Sequence, residues 1–415
     1  MNRASEASAP SSLRTLPRNV WVATATSFLT DISSEMLVHL LPLFLANILG
    51  VRTGVIGLIE GIAETTSSLL KVFSGWLSDR IGDRKWLAVA GYGLSTLAKP
   101  FLLLANSWAT VLGVRFADRV GKGIRTAPRD ALVADSVDSH HRGLAFGLHR
   151  AGDTAGATVG LLIALGIVYA LQGSALSLDR STFHTVVLFS IPPAVLAVLV
   201  LALGAVNVPI KERGERPRFS LAGFDVRFKR LLAIVVLFTL GNSSDAFLVL
   251  RAQHAGLSVA GVMAALALFN LVYAAVSAPA GVLSDRVGRR RVMVGGWLAY
   301  AAIYLGFALA GAAWQVVALF ALYGVYYGLT EGVAKALVAD LVAPAQRGSA
   351  YGLYNAAVGL AAFPASLIAG VLWQGVGPWP GFGPAAPFLF GAGLAMTAAA
   401  LLILWFPRRS RPTAV

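Results

Sequence analysis

Asp31, Glu35 and His39 stand four residues apart in an otherwise apolar or small-residue stretch, and on a helix they share one face. The same count puts Glu60, Glu64 and Lys71 on one face of a second helix and Arg115, Arg119 and Lys122 on one face of a fourth. Arg150 and Asp153 follow on a fifth, with Asp118 beside Arg119. In the second half of the chain the comparable positions are only Asp245, Glu331 and Lys335. Carboxylates and guanidinium groups in apolar surroundings suit proton exchange. A carboxyl group in a dry pocket holds its proton, and an arginine brought near releases it. The expected carriers are Asp31 or Glu35 with Arg115 as partner, and Arg150 with Asp153 as a second pair. His39, Glu60, Glu64, Asp118, Arg119, Arg150, Asp153, Asp245 and Glu331 are candidates for the substrate cavity. Glu331 and Lys335, at i and i+4, also fit a structural ion pair.

These residues need elements that carry them into an apolar phase. Of 415 residues, 57% are hydrophobic and only 13% charged, where a soluble domain has roughly 25% charged. Runs such as 186–208 and 386–406 are long enough to cross a hydrocarbon core of about 30 Å. A lipid-facing backbone must satisfy its own hydrogen bonds, so helices are expected. Twelve spans are legible, from 19–48 to 386–407. A charge at the centre of such a span costs about 2.5–3.5 kcal/mol, so the charged residues above must face a wet cavity or one another. The expected fold is an all-α membrane protein of two six-helix bundles. The segments are an N-terminal tail 1–18, a bundle 19–207, a basic linker 208–229, a second bundle 230–407 and a tail 408–415.

Lysines and arginines set the orientation. They gather at Arg3 to Arg18, Arg80 to Lys85, Arg142, Lys211 to Arg230, Arg286 to Arg291, Arg347 and Arg408 to Arg411, while the opposite side has Arg52, Arg180 and Arg251. The positive-inside rule then predicts a multi-pass protein of the inner membrane with both termini cytoplasmic. The net charge of +14 is read as a topology signal rather than as nucleic-acid binding.

An internal repeat divides the chain. Gly75-Trp-Leu-Ser-Asp79-Arg80-Ile-Gly82-Asp-Arg84-Lys85 recurs as Gly281-Val-Leu-Ser-Asp285-Arg286-Val-Gly288-Arg-Arg290-Arg291, 206 residues on. Leu132-Val-Ala-Asp135 and Leu337-Val-Ala-Asp340 are 205 apart, as are Arg142-Gly143 and Arg347-Gly348. Repeats flanking a midplane site are a transporter architecture. Asp79 and Asp285 end their helices beside basic loops, where they can bind arginines and the N-terminus of a neighbouring helix. Contacts of that kind exist in one cavity orientation and break in the other. Gly75, Asp79, Arg80, Gly82, Arg84, Gly281, Asp285, Arg286, Gly288 and Arg290 are therefore expected to form a conformational latch for an outward-open state.

These motifs resemble those of the major facilitator superfamily. The repeated block looks like its motif A. Arg115-Phe-Ala-Asp118-Arg119-Val-Gly121-Lys122-Gly123 resembles motif B, with Asp118 and Arg119 where glutamine and glycine are usual. Gly152-Asp-Thr-Ala-Gly156-Ala-Thr-Val-Gly160 is similar to motif C, the antiporter signature, with Ala157 and Leu161 in place of proline and glycine. The string 118–132 looks like a little-characterised prokaryotic branch. The resemblance covers about 19–407 and implies a secondary active transporter, a monomer by family default.

Chemistry of other kinds is disfavoured. With no cysteine there is no thiolate metal site or cysteine nucleophile. Gly121-Lys122-Gly123 lacks the spacing of a phosphate loop, and neither HExxH nor GxSxG occurs. The expectation is no enzyme and no cofactor, with a proton gradient as the energy source. The bilayer and a small-molecule substrate are the expected partners, and no metal is expected as a resident group. Proton-coupled export of a small organic molecule leads. The alternatives are uptake of an anionic metabolite held by Arg115, Arg119 and Arg150, and divalent-metal export through Asp31, Glu35 and His39. A non-transporting sensor would need no buried protonatable carboxylates.

Overall fold

The computed structural model describes residues 13, 16–138, 141–208, 220–343 and 346–405. The C-terminal tail 408–415, most of the N-terminal tail 1–18 and half of the linker 208–229 lie outside them. Among the described residues twelve helical spans follow in order: α1 Arg18–Ile48, α2 Thr53–Ile81, α3 Arg84–Leu104, α4 Trp108–Asp135, α5 Arg142–Gln172 and α6 Arg180–Gly204. The second set is α7 Val226–His254, α8 Val259–Val287, α9 Arg289–Leu309, α10 Ala313–Asp340, α11 Arg347–Gln374 and α12 Ala386–Trp405. Ten are apolar and long enough to cross a membrane. The other two, α2 and α4, carry the densest charge, yet with 29 and 28 residues they are as long as their neighbours. At 1.5 Å per residue each exceeds the thickness of the hydrocarbon core. Exposed apolar side chains such as Leu188, Leu199, Leu203, Leu309 and Leu404 supply the lipid-facing surface.

Local chemistry sets the ends. Ser107 caps α4 by accepting from the Thr110 amide at 3.3 Å, and Asp83 caps α3 by accepting from Trp86 at 3.0 Å. Ser258 does the same for α8 through the Gly261 amide. Gly82 ends α2 with φ 81°, a left-handed conformation natural to glycine. Two spans are interrupted. α1 leaves regular helix at His39 and Leu40, resumes over Leu41–Leu43 and passes into a π turn at Phe44–Ile48. Pro42 has no amide hydrogen to donate there, and such irregularity is tolerated where it lines a cavity. α7 breaks over 242–245 and restarts at Ala246, with the Ser244 amide bonding Ser366 Oγ on α11.

Within each half the helices pack as α1 on α5 and α6, α4 on α2 and α3, α8 on α10, and α9 on α12. A Cβ on Gly156 or Gly160 would run into the backbone of Phe28 or Ile32, so these motif C glycines let α5 close onto α1. Between the halves the main contacts are α2 on α11 and α5 on α8. One end of the molecule is sealed. Asn47 and Gln253 exchange side-chain hydrogen bonds of 3.1 and 2.8 Å. Arg52 donates to the carbonyls of Gln374 and Gly377, and the Val259 amide bonds the Ala175 carbonyl. Toward the other end, which carries the repeated motif, α4 and α10 do not form a packed pair. The halves thus meet tightly on one side of a central cavity and part on the other.

The motif clusters are related between the halves. Arg84 on α3 bonds Asp79 at 2.8 Å, the Ala131 carbonyl at 3.0 Å and Asp135. Arg289 on α9 bonds Asp340 at 2.5 Å and the Ala336 carbonyl at 2.9 Å, and lies 3.6 Å from Asp285. The second-half counterpart of Arg84 is therefore Arg289, not Arg290, which donates to the Ile403 carbonyl instead. The turn after Gly288 is one residue shorter than the turn after Gly82, so the repeat changes register from 206 to 205 there.

Candidate functional site

The break in α7 and the middle of α1 bear the same short string. Ser33-Ser34-Glu35 precedes the irregular stretch of α1, and Ser243-Ser244-Asp245 forms the break in α7. Glu35 and Asp245 thus occupy related places and face one central cavity, whose empty space is about 1460 Å³. From the first half the cavity is lined by Glu35, His39, Glu60, Glu64, Arg119 and Arg150, and from the second by Asn242, Asp245, Phe269, Tyr273, Tyr327 and Glu331. A side chamber of about 680 Å³ lies within the first half, lined by Asp31, Ser34, Lys99, Arg115, Asp118, Lys122 and Arg125. Glu35, Val38 and Arg119 form the wall that both spaces share.

The charges pair differently from expectation. Arg115 is bonded to Glu60, its Nη2 donating to Oε1 and Oε2 at 2.9 and 2.7 Å, and does not bond Asp31 or Glu35. The reason is packing: α4 lies along α2, which carries Glu60, and has little contact with α1. Glu35 instead meets His39 at 3.2 Å. Lys99 caps the serines beside it, donating to Ser33 Oγ and, at 3.4 Å, to Ser34 Oγ. Arg150 and Asp153 do not pair. Asp153 lies 3.7 Å from His149, one helical turn back, while Arg150 reaches across to the second half. There it donates to Tyr273 at 3.1 Å and stands 3.5 Å from Glu331, which also accepts from the Tyr273 hydroxyl. Lys335 is 4.0 Å from Glu331, so the i, i+4 pair is one arm of a cluster bridging the halves.

Asp245 accepts a hydrogen bond from Tyr323 at 3.0 Å and has no ion pair among the described residues. Arg119 is only 9% exposed, and neither a hydrogen bond nor an ion pair holds it among the described residues. Phe269, Tyr273 and Tyr327 make one aromatic wall, with Phe269 and Tyr327 edge-on at 5.3 Å and Tyr273 and Tyr327 at 6.0 Å. Asp31, Glu35 and His39 do not form a ligand set: among the described residues no three histidine or acidic side chains are grouped to hold a metal ion. The residues that sequence reasoning passed over are Ser33, Ser34, Tyr273, Tyr327 and the amide pair Asn47–Gln253. The Ser-Ser-acid string was a signal that a comparison of α1 with α7 would have found.

The Major Facilitator Superfamily profile matches residues 23–251 and 231–415. An uncharacterised MFS-type transporter of Methanocaldococcus jannaschii is 36% identical over 405 residues, covering 94% of this chain and 95% of that protein. An uncharacterised protein of Mycobacterium tuberculosis is 29% identical over 339 residues, 79% of this chain and 80% of that one. Among solved structures, a nucleoside transporter superposes with a TM-score of 0.75 over 94% of this chain and all of that one, at 14% identity.

Proposed function

Because the chain belongs to the major facilitator superfamily, we propose that this secondary transporter is a proton-coupled exporter of a small organic molecule, working by alternating access. It is not an enzyme, and transporters of this family need no cofactor. The observation that carries the reading is the place of Glu35, in the wall between the central cavity and the charged side chamber. A carboxylate there can exchange a proton with the chamber while a ligand occupies the cavity. Asp31, inside the chamber, is the second carrier. Arg115 is held by Glu60, so a cation available to drive the proton off Glu35 on reorientation is Lys122, which bonds no carboxylate among the described residues. A ligand group that bonds Glu35 can do so once the proton has left, and that competition makes the exchange an antiport. The basic clusters support cytoplasmic termini in the inner membrane. With that orientation the sealed Asn47–Gln253 end faces outward and the structure is inward-open.

The test is proton release from purified, detergent-solubilised protein on addition of ethidium, manganese(II), benzoate and phenylalanine, with binding followed in parallel by thermal shift. The expected outcome is release triggered by a ligand that binds, at least halved in Glu35→Gln or Asp31→Asn. Binding without release would overturn the antiport reading.

A further inference from the structure

On its two walls the central cavity presents charges of opposite sign that make no ion pair among the described residues: Arg119, with Glu64 near it, on one and Asp245 on the other. On the wall of the first half, Arg119 is nine-tenths buried, its Nε meets no acceptor, and its guanidinium lines both the cavity and the side chamber. Glu64 and Asp118 act on it only through space, with no hydrogen bond or ion pair to hold them. On the wall of the second half, Asp245 sits at the break of α7 with a tyrosine hydroxyl as its hydrogen-bond partner and no cation partner among the described residues. Of the other cavity charges, Glu64 beside Arg119 also makes no ion pair among the described residues, while Glu60 is satisfied by Arg115, Glu35 by His39, and Glu331 by Arg150 and Tyr273. A buried charge without a partner is costly, and persists where a ligand supplies the opposite charge. Arg119 and Asp245 belong to different halves and do not bond each other across the empty space.

We propose that the substrate is a dipolar ion, its anionic group held by Arg119 and its cationic group by Asp245, with a planar apolar portion against Phe269, Tyr273 and Tyr327. The inference takes the central cavity as the substrate site, as the reading above does, and is independent of proton coupling. The guanidinium fork suits a carboxylate. The aromatic wall favours both a ring and an ammonium group placed over it. A ligand of this kind ties the two halves together through one molecule. A ligand with a single charge satisfies one half and leaves the other charge uncompensated, which makes the site selective.

Three probes of one shape and different charge test this on the full-length wild-type protein at a single pH. They are phenylalanine, 3-phenylpropionate and phenethylamine, with binding read by equilibrium dialysis or calorimetry. Phenylalanine is expected to bind at least tenfold more tightly than either singly charged probe. In Arg119→Gln its affinity is expected to fall at least tenfold, to that of phenethylamine, whose own binding stays unchanged. In Asp245→Asn it is expected to fall to that of 3-phenylpropionate. If either singly charged probe binds wild type within threefold of phenylalanine, or if none of the three binds, the proposal is overturned. The wild-type comparison does not depend on either variant folding. Phenylalanine bound without proton release would count against proton antiport and leave the dipolar-ion assignment standing.

Discussion

Glu60→Gln is expected to destabilise the protein by about 3–5 kcal/mol. Arg115 and Glu60 are 8% and 11% exposed, and both carboxylate oxygens accept from one guanidinium nitrogen at 2.9 and 2.7 Å. Taking away the carboxylate's charge leaves Arg115 buried and uncompensated, and Arg115→Gln leaves Glu60 in the same condition. Removing both charges together leaves no orphan, so the double substitution Glu60→Gln with Arg115→Gln is expected to recover more than half of the loss. The check is a double-mutant cycle on denaturant unfolding of the detergent-solubilised protein, which isolates the pairwise contribution. A double variant as unstable as the sum of the two singles would refute the pair as a coupled unit.

Gly57→Val is expected to reduce transport at least tenfold while leaving each half folded. A Cβ on Gly57 would overlap the backbone carbonyl of Ser366 and lie 2.9 Å from its carbon and 3.3 Å from the Phe247 ring. Both neighbours belong to the other half, and Gly57 belongs to α2. Gly370 on α11 repeats the arrangement against the backbone of Thr53. Separating the halves at the sealed end relieves the overlap, and unfolding either bundle is not required. The expected result is a population shift toward the conformation open at that end. The chain has no cysteine, so a single reporter can be read without background. Val249 is fully buried on α7 beside the cavity. With Val249→Cys as reporter, labelling by a membrane-impermeant maleimide from the Asn47 side is expected to rise at least tenfold when Gly57→Val is added. Unchanged labelling with normal transport would show that α2 and α11 need no close contact there.

The cluster of Arg150, Tyr273 and Glu331 holds the two halves at a different level from the Asn47–Gln253 pair. A transporter that alternates access must break contacts on one side of its site as it makes them on the other. The amide pair and the Arg52 contacts to α11 are broken when the sealed end opens. The paired motif clusters at Arg84 and Arg289 each lie within one half, so in this state they stiffen their own bundles rather than bridge them.

The sequence by itself determined that the spans are helices, because a chain this apolar in lipid has no other way to satisfy its backbone. It also determined the two halves, because the repeated Gly-x-Leu-Ser-Asp-Arg block and its partners recur at a nearly constant distance. The residues with chemistry to offer were legible for the same reason: Asp31, Glu35, Arg119 and Asp245 stand out against apolar surroundings whose cost they must overcome. Helical periodicity places side chains on a face, and it says nothing of what that face meets. Only the tertiary structure decided that Arg115 meets Glu60 rather than Glu35, because α4 lies on α2, a contact between residues 55 apart in the chain. It alone decided that Arg150 crosses to Tyr273 and that Arg289 takes the place of Arg84, where one residue less in a turn shifts the register. The orphan charges of Arg119 and Asp245 are likewise a tertiary fact, since a charge is unpaired only with respect to everything that packs around it.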